Sequence, residues 1–553
     1  MSKRKWIPII LVFLIIPSYL FAIFSSEYIV ADWFTTDDAF YYFKIAENMT
    51  KGEGITFDGL SKTNGFHPLW MIIITPLFYL ARFDVFLPLR GIITLQMFFA
   101  VGTGLLFFSF LKQECSNYVA FIMSLAWVLI PEIQNTTSNG TEACINAFFI
   151  TLFWLKISKL DPLFETNRAN FRKIFSLGVV ALLLVLSRLD NVYLIFPVGL
   201  WLIYLFLKGR NGREGGLNLK ELIRVEFLFF APTVGVLLGY LLFNYFYFDT
   251  LMPLSGQIKK WWGTLNKTAY GMPVRNLGNY LGDFFSPNTN IGPWSIVTKR
   301  IYGFADRYVA NRGRRVFSIG LMVELAAAFF VGFLFAERKK DLFKIMRKWA
   351  LYPLIAGTII HISHYKLLGY LGSRPWYWIA EAFFVIVLLS IVMELIFRKI
   401  KEINFKFINF ILFISTIIIS AYIVKPSFLY VSENIHQEVA AREHHYFQIT
   451  NWIESNTEQN ALVGMTGAGS TSYFIKDRRI INLDGLVNGR EYFDHLKSGE
   501  AYIYLQEIGV DYLFVNSHMI QETEPYRSSI GRYLDNDKAN KGILKFRLWE
   551  IRH

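Results

Sequence analysis

Apolar stretches recur along most of this chain, at 6–24, 87–111, 117–131, 142–158, 174–187, 190–208, 225–248, 316–336, 349–364, 377–397 and 407–424. Lipid is the solvent that such a series fits, and in lipid each stretch must close its backbone hydrogen bonds internally, as a helix. Composition agrees: 54% of residues are hydrophobic, 17% aromatic and only 18% charged, far from the balance of a soluble domain. Trp33, Trp70, Trp201, Trp349 and Trp376 fall at segment ends, where amphipathic rings favour the membrane interface.

The net charge of +13 does not indicate nucleic acid, because the basic residues cluster between apolar stretches. The loops 156–173, 208–224, 337–348 and 398–406 are basic and are expected in the cytoplasm. The segment 6–24 follows a short basic start and lacks a small-x-small cleavage site, so it reads as an uncleaved first span. A twelfth apolar stretch, 69–80, is short for a span. Counting it as one would put loop 156–173 on the wrong side, so it is expected to be re-entrant or to lie in the interface.

This gives a multi-pass helical membrane domain, 1–424, with about eleven spans and a re-entrant or interfacial helix. The N-terminus is cytoplasmic; a first loop at 25–86 and a long basic loop at 249–315 face outward. From 425 to 553 the chain turns polar. Strands are expected at 461–465, 479–483 and 512–516 and a helix at 491–508, which makes a small extracytoplasmic α/β domain. Cys115 and Cys144 have no metal-ligand spacing and no assigned role.

The first loop opens with Asp37-Asp38 directly after a span, a costly arrangement unless the acids are solvated, paired or used. Thr36 or Asp37 can cap a helix beginning near Ala39, but a cap needs one residue and leaves the second acid unexplained. Four Asn-x-Ser/Thr sequons, at Asn48, Asn135, Asn139 and Asn266, are short enough to arise by chance.

The run Asp37-Asp38-Ala39-Phe40-Tyr41, then Gly52-x-Gly54, then Thr63-Asn64-Gly65-Phe66-His67-Pro68-Leu69-Trp70, resembles the first loop of GT-C fold glycosyltransferases. Protein O-mannosyltransferases, lipid A aminoarabinose transferases and the terminal arabinofuranosyltransferases of mycobacterial walls belong to that superfamily. The resemblance implies a sugar donor carried on polyprenyl phosphate and a glycan, lipid or protein acceptor, in the cell membrane, with transfer on its outer face. Asp37 or Asp38 would take the acceptor proton.

Other residues fit one outer-face site. Glu142, at the head of the fourth span, is also favoured there by the helix dipole. Arg188 and Asp190 interrupt two apolar stretches and resemble an Arg-x-acid pair bordering the cavity in these transferases; structurally they could simply pair. Lys259 follows the seventh span in the basic loop. Arg374 suits bidentate phosphate binding. Arg374, Lys259 and Arg188 are thus the candidate contacts for the donor phosphate.

His67 lies within the motif. His361 and His364 could share a helical face, without a third metal ligand nearby. No cofactor is demanded; a divalent cation (Mg, Ca or Mn) on Asp38 and Glu142 is compatible with hard oxygen ligands. The alternatives are a lipid-linked saccharide transporter or flippase, which would bury charges deep in its spans and often show repeats, and a polysaccharide polymerase or ligase. A scaffold with no catalytic role would leave the first-loop acids dispensable.

Overall fold

The computed structural model describes residues 6–160, 171–210, 219–270, 296–297, 314–367, 374–403, 407–436, 445–534 and 541–551. Much of the basic segment 249–315, including Arg275, Lys299 and Arg307, and the centres of loops 156–173 and 208–224 lie outside the described residues.

All eleven apolar stretches are helical. Among the described residues seven helices are long and apolar enough to cross a membrane, or eight if Asn117–Leu129 and Pro131–Thr137, bent by 52°, form one span. Pro17, Pro197, Pro232 and Pro426 sit inside such helices, as membrane helices tolerate. Ala143–Ile157 is shorter, 15 residues that rise about 22 Å, and nearly all of it is buried within the bundle. Pro68–Leu80 has 13 residues and packs against the first-loop helix Asp37–Lys51.

Basic residues gather at one end of the bundle. Lys348 pairs with Glu114 at 2.5 Å, Lys399 with Glu337 at 2.7 Å and Arg398 with Glu394 at 2.9 Å. The helix Ile379–Glu402 ends among them and begins beside Tyr377. Its 24 residues separate that basic end from the first-loop end by about 36 Å.

The C-terminal domain is built on a five-stranded sheet of order β2-β1-β3-β5-β4. Its strands are β1 (Leu462–Met465), β2 (Arg479–Asn482), β3 (Tyr512–Asn516), β4 (Lys541–Ile543) and β5 (Phe546–Glu550). Strand β1 pairs in parallel with β2 and β3, while β5 is antiparallel to both β3 and β4. The three expected strands are present, and β4–β5 adds an unforeseen hairpin. The helix expected over 491–508 is two, Arg490–Ser498 and Ala501–Glu507, broken at Gly499 with φ +83°, a conformation that favours glycine.

One face of this domain packs into the core of the bundle, through Val463, Met465, Ile480 and Phe514 among others, while its far side holds a core of its own around Leu483, Tyr492, Leu513 and Trp549. Phe40 of the first-loop helix packs its ring against Tyr446, Tyr473 and Phe474 at centroid distances of 5.6, 5.7 and 5.4 Å. The domain is therefore seated on the loop that carries the acid pair.

Candidate active site

Thr36 has the extended backbone of an N-cap but makes no side-chain capping bond. Asp37 and Asp38 occupy the first turn of the helix, where negative charge is favoured, yet they do different things. One Asp37 oxygen accepts the backbone N–H of Gly469 at 2.8 Å; the other accepts the N–H and hydroxyl of Ser470, both at 2.7 Å. A Cβ on Gly469 would lie 2.3 Å from the Asp37 carbonyl oxygen, so the approach requires glycine. Burial, opposed by these bonds, pushes the Asp37 carboxyl up to about 6.

Asp38 accepts no hydrogen bond among the described residues. Burial raises its carboxyl above the ordinary range, against the pull of Lys259 and Arg374 and with the push of Asp484 and Glu142. It stands where two cavities meet. One, of about 370 Å³, runs between the first loop and the C-terminal domain, and its lining includes Asp37, Asp38, Trp262, Tyr270, Arg374 and Asp484. The other, of about 440 Å³, runs along the bundle and includes Asp38, His67, Arg188, Lys259, Lys260 and His364. Lys259, Tyr41 and Leu486 also line both.

The Thr63–Trp70 motif frames this junction. Asn64 Oδ1 accepts the N–H of Leu254 at 3.0 Å, fixing the start of the helix Leu254–Trp262 that carries Lys259. A Cβ on Gly65 would meet the Leu486 carbonyl oxygen at 2.0 Å. Trp70 donates its indole N–H to the Gly140 carbonyl at 2.9 Å. Lys259 donates to the Tyr377 hydroxyl at 2.5 Å. Burial would lower the Lys259 ammonium, but Tyr377 and Asp38 outweigh it and raise it, so it stays charged.

Beneath lies a buried ionic network. Arg188, 2% exposed, donates to Asp190 through Nε at 3.1 Å and Nη2 at 2.7 Å, and to Glu142 through Nη1 at 2.5 Å. Its guanidinium sits over the Tyr377 ring, 4.7 Å from the centroid. Tyr42 donates to the second Glu142 oxygen at 2.9 Å, and His67 Nε2 lies 3.6 Å from the first. His361 stands between Asp190, at 3.3 Å, and Glu381, at 2.7 Å, whereas His364 bonds the Tyr193 hydroxyl at 2.8 Å. The two histidines thus serve separate partners.

Among the described residues no group of three or more His, Cys, Asp or Glu side chains could hold a metal ion. Each Glu142 oxygen accepts one hydrogen bond, from Arg188 and from Tyr42, and each keeps a further lone pair.

Sequence reasoning missed Asp484. Its oxygens accept from the hydroxyls of Tyr41, Tyr270 and Tyr526 at 3.3, 2.5 and 2.6 Å and from the N–H of Gly467 at 2.9 Å. A local signal for it is Gly485, which follows directly in the turn after β2 with φ +81°.

A membrane helical bundle capped by an α/β domain seated on an acidic first loop is the GT-C fold, and solved structures bear this out. An archaeal oligosaccharyltransferase, AglB from Archaeoglobus fulgidus, in complex with an inhibitory peptide and a dolichol-phosphate, matches with a TM-score of 0.52 at 13% identity. That match covers 94% of this chain and 70% of that one. The apo form of the Archaeoglobus fulgidus oligosaccharyltransferase matches with a TM-score of 0.51 at 13% identity, covering 96% and 73%. Residues 433–549 match a family described as a domain of unknown function, DUF8728. No curated protein matches the sequence significantly.

Proposed function

We propose that this chain is a membrane glycosyltransferase that moves a sugar from a polyprenyl-phosphate donor to an acceptor hydroxyl on the extracytoplasmic face. The observation that carries the reading is the position of Asp38, whose carboxylate accepts no hydrogen bond among the described residues, at the junction of two cavities, while its neighbour Asp37 is engaged by Gly469 and Ser470.

In this mechanism the donor lies in the cavity along the bundle, its polyprenyl chain passing between spans. Asp38 accepts the proton of the acceptor hydroxyl as that oxygen bonds to the anomeric carbon. The bond from the anomeric carbon to the phosphate oxygen breaks, and the electron pair leaves with the polyprenyl phosphate. Lys259 and Arg374 stabilise that anion. Arg188, with its donors committed to Glu142 and Asp190, braces the floor beneath Lys259 and Tyr377. The gathering of basic residues at the opposite end of the bundle supports an extracytoplasmic site.

The archaeal oligosaccharyltransferase has been captured with a dolichol-phosphate, a lipid of the class assigned here. The reading is tested by mass spectrometry of cell-envelope glycans, lipids and proteins with and without this chain. Loss of a defined sugar supports it; identical profiles, with the intact polyprenyl-phosphate sugar pool unchanged, count against it.

A further inference from the structure

We propose that the cavity between the first loop and the C-terminal domain is a saccharide subsite, so that the acceptor is a glycan rather than a peptide or an acyl lipid. The inference rests on the reading above, in which Asp38 takes the acceptor proton.

The wall chemistry suits a polyol. On the cavity wall Tyr41 and Tyr270 donate their hydroxyls to Asp484, and their oxygens are in turn engaged by Asn482 and Tyr526; the Asp38 carboxylate, which accepts no side-chain or loop hydrogen bond among the described residues, is the acceptor left for a sugar hydroxyl. A donor stands beside them: Trp262 lines the cavity, is 2% exposed, and its indole N–H has no partner among the described residues. Its ring stacks on that of Tyr270, centroids 3.8 Å apart and planes within 15°. A sugar hydroxyl both donates and accepts, and the C–H face of a sugar ring packs on aromatic surface. At about 370 Å³ the cavity is at the small end of ligand pockets and suits roughly one or two sugar rings.

Peptide capture would need backbone groups, at an open strand edge or a nest of free amides. Here the Gly467 N–H is taken by Asp484, and those of Gly469 and Ser470 are taken by Asp37. Strand β3, beside the cavity, is flanked by β1 and β5. An acyl chain fits no better, since Asp37, Asp38 and Asp484 all line the space and an apolar occupant would strip them of water.

The test uses the full chain in detergent micelles and saturation-transfer NMR, with methyl glycosides of hexoses and pentoses as probes and a short peptide bearing Asn and Ser as rival. At least one glycoside should bind and the peptide should not. Trp262→Phe keeps the ring and removes the donor, and should weaken glycoside binding about tenfold; Asp484→Asn, checked for folding, should weaken it as well. Peptide binding with silent glycosides, or glycoside binding unchanged in Trp262→Phe, overturns the inference. Polyprenyl monophosphate binding, followed by native mass spectrometry, separates the two claims. Retained lipid binding with silent glycosides removes the saccharide assignment alone, whereas absent lipid binding removes the donor reading.

Discussion

The Asp37 carboxylate holds the backbone N–H of Gly469 at 2.8 Å, across 432 positions of sequence. Adjacent acids that look interchangeable are therefore divided: Asp37 ties the C-terminal domain to the first loop, and Asp38 is left to face the cavities. Asp37→Ala would leave the amides of Gly469 and Ser470 without acceptors, at a cost of about 1–3 kcal/mol. Faster proteolysis of the C-terminal domain and a lower unfolding temperature are the expected outcomes, while Asp38→Ala should leave both unchanged.

Asp37 also gives stability a pH dependence. Its carboxyl is pushed up to about 6 from 3.8, so the folded chain holds this proton more tightly than the unfolded one. The resulting contribution is complete below about 4 and is lost as pH rises through about 6. Thermal unfolding between pH 4 and 7 should show stability falling with pH from this group, and Asp37→Asn should remove that slope.

If Asp38 is the base proposed here, the consequence of its surroundings is catalytic. Its carboxyl is raised by burial, and Lys259 and Arg374 hold it back. The acid limb of the pH profile for kcat/KM should therefore lie above the usual carboxylate range. Arg374→Ala removes a restraining cation, so the limb should move to higher pH; an unmoved limb would take Arg374 out of Asp38's surroundings.

Arg188 separates bracing from binding. Truncating it to Ala leaves Glu142 and Asp190 buried without their cation, a loss of about 3–5 kcal/mol. Lys259→Ala, at the cavity junction, should cost little stability and instead raise the donor requirement. Comparing unfolding temperatures and donor dependence of the two variants distinguishes the roles.

Much of this was legible because lipid imposes simple rules. The eleven apolar stretches announced themselves as helices, and the segments at 461–465, 479–483 and 512–516 as strands, which the structure sets at 462–465, 479–482 and 512–516. The first-loop motif pointed to the site, although the reasons for Asn64 and Gly65 emerged only with Leu254 and Leu486 in place. Asp484 and the engagement of Asp37 were illegible because they depend on long-range contacts, 432 residues apart for Asp37 with Gly469 and 443 and 214 apart for Asp484 with Tyr41 and Tyr270, with no local periodicity to mark them. The hairpin β4–β5 was missed because Lys541–Ile543 is three residues long and mostly exposed, too short for an alternating pattern.

The most direct measurement is restoration of the envelope sugar by single-residue variants. In cells lacking this chain, wild type and Asp37→Asn are introduced beside Asp38→Asn, at matched membrane levels and with polyprenyl monophosphate binding confirmed for each. Wild type should restore the missing sugar, Asp37→Asn should restore it at least in part, and Asp38→Asn should restore none. Full restoration by Asp38→Asn would contradict its assignment as the base.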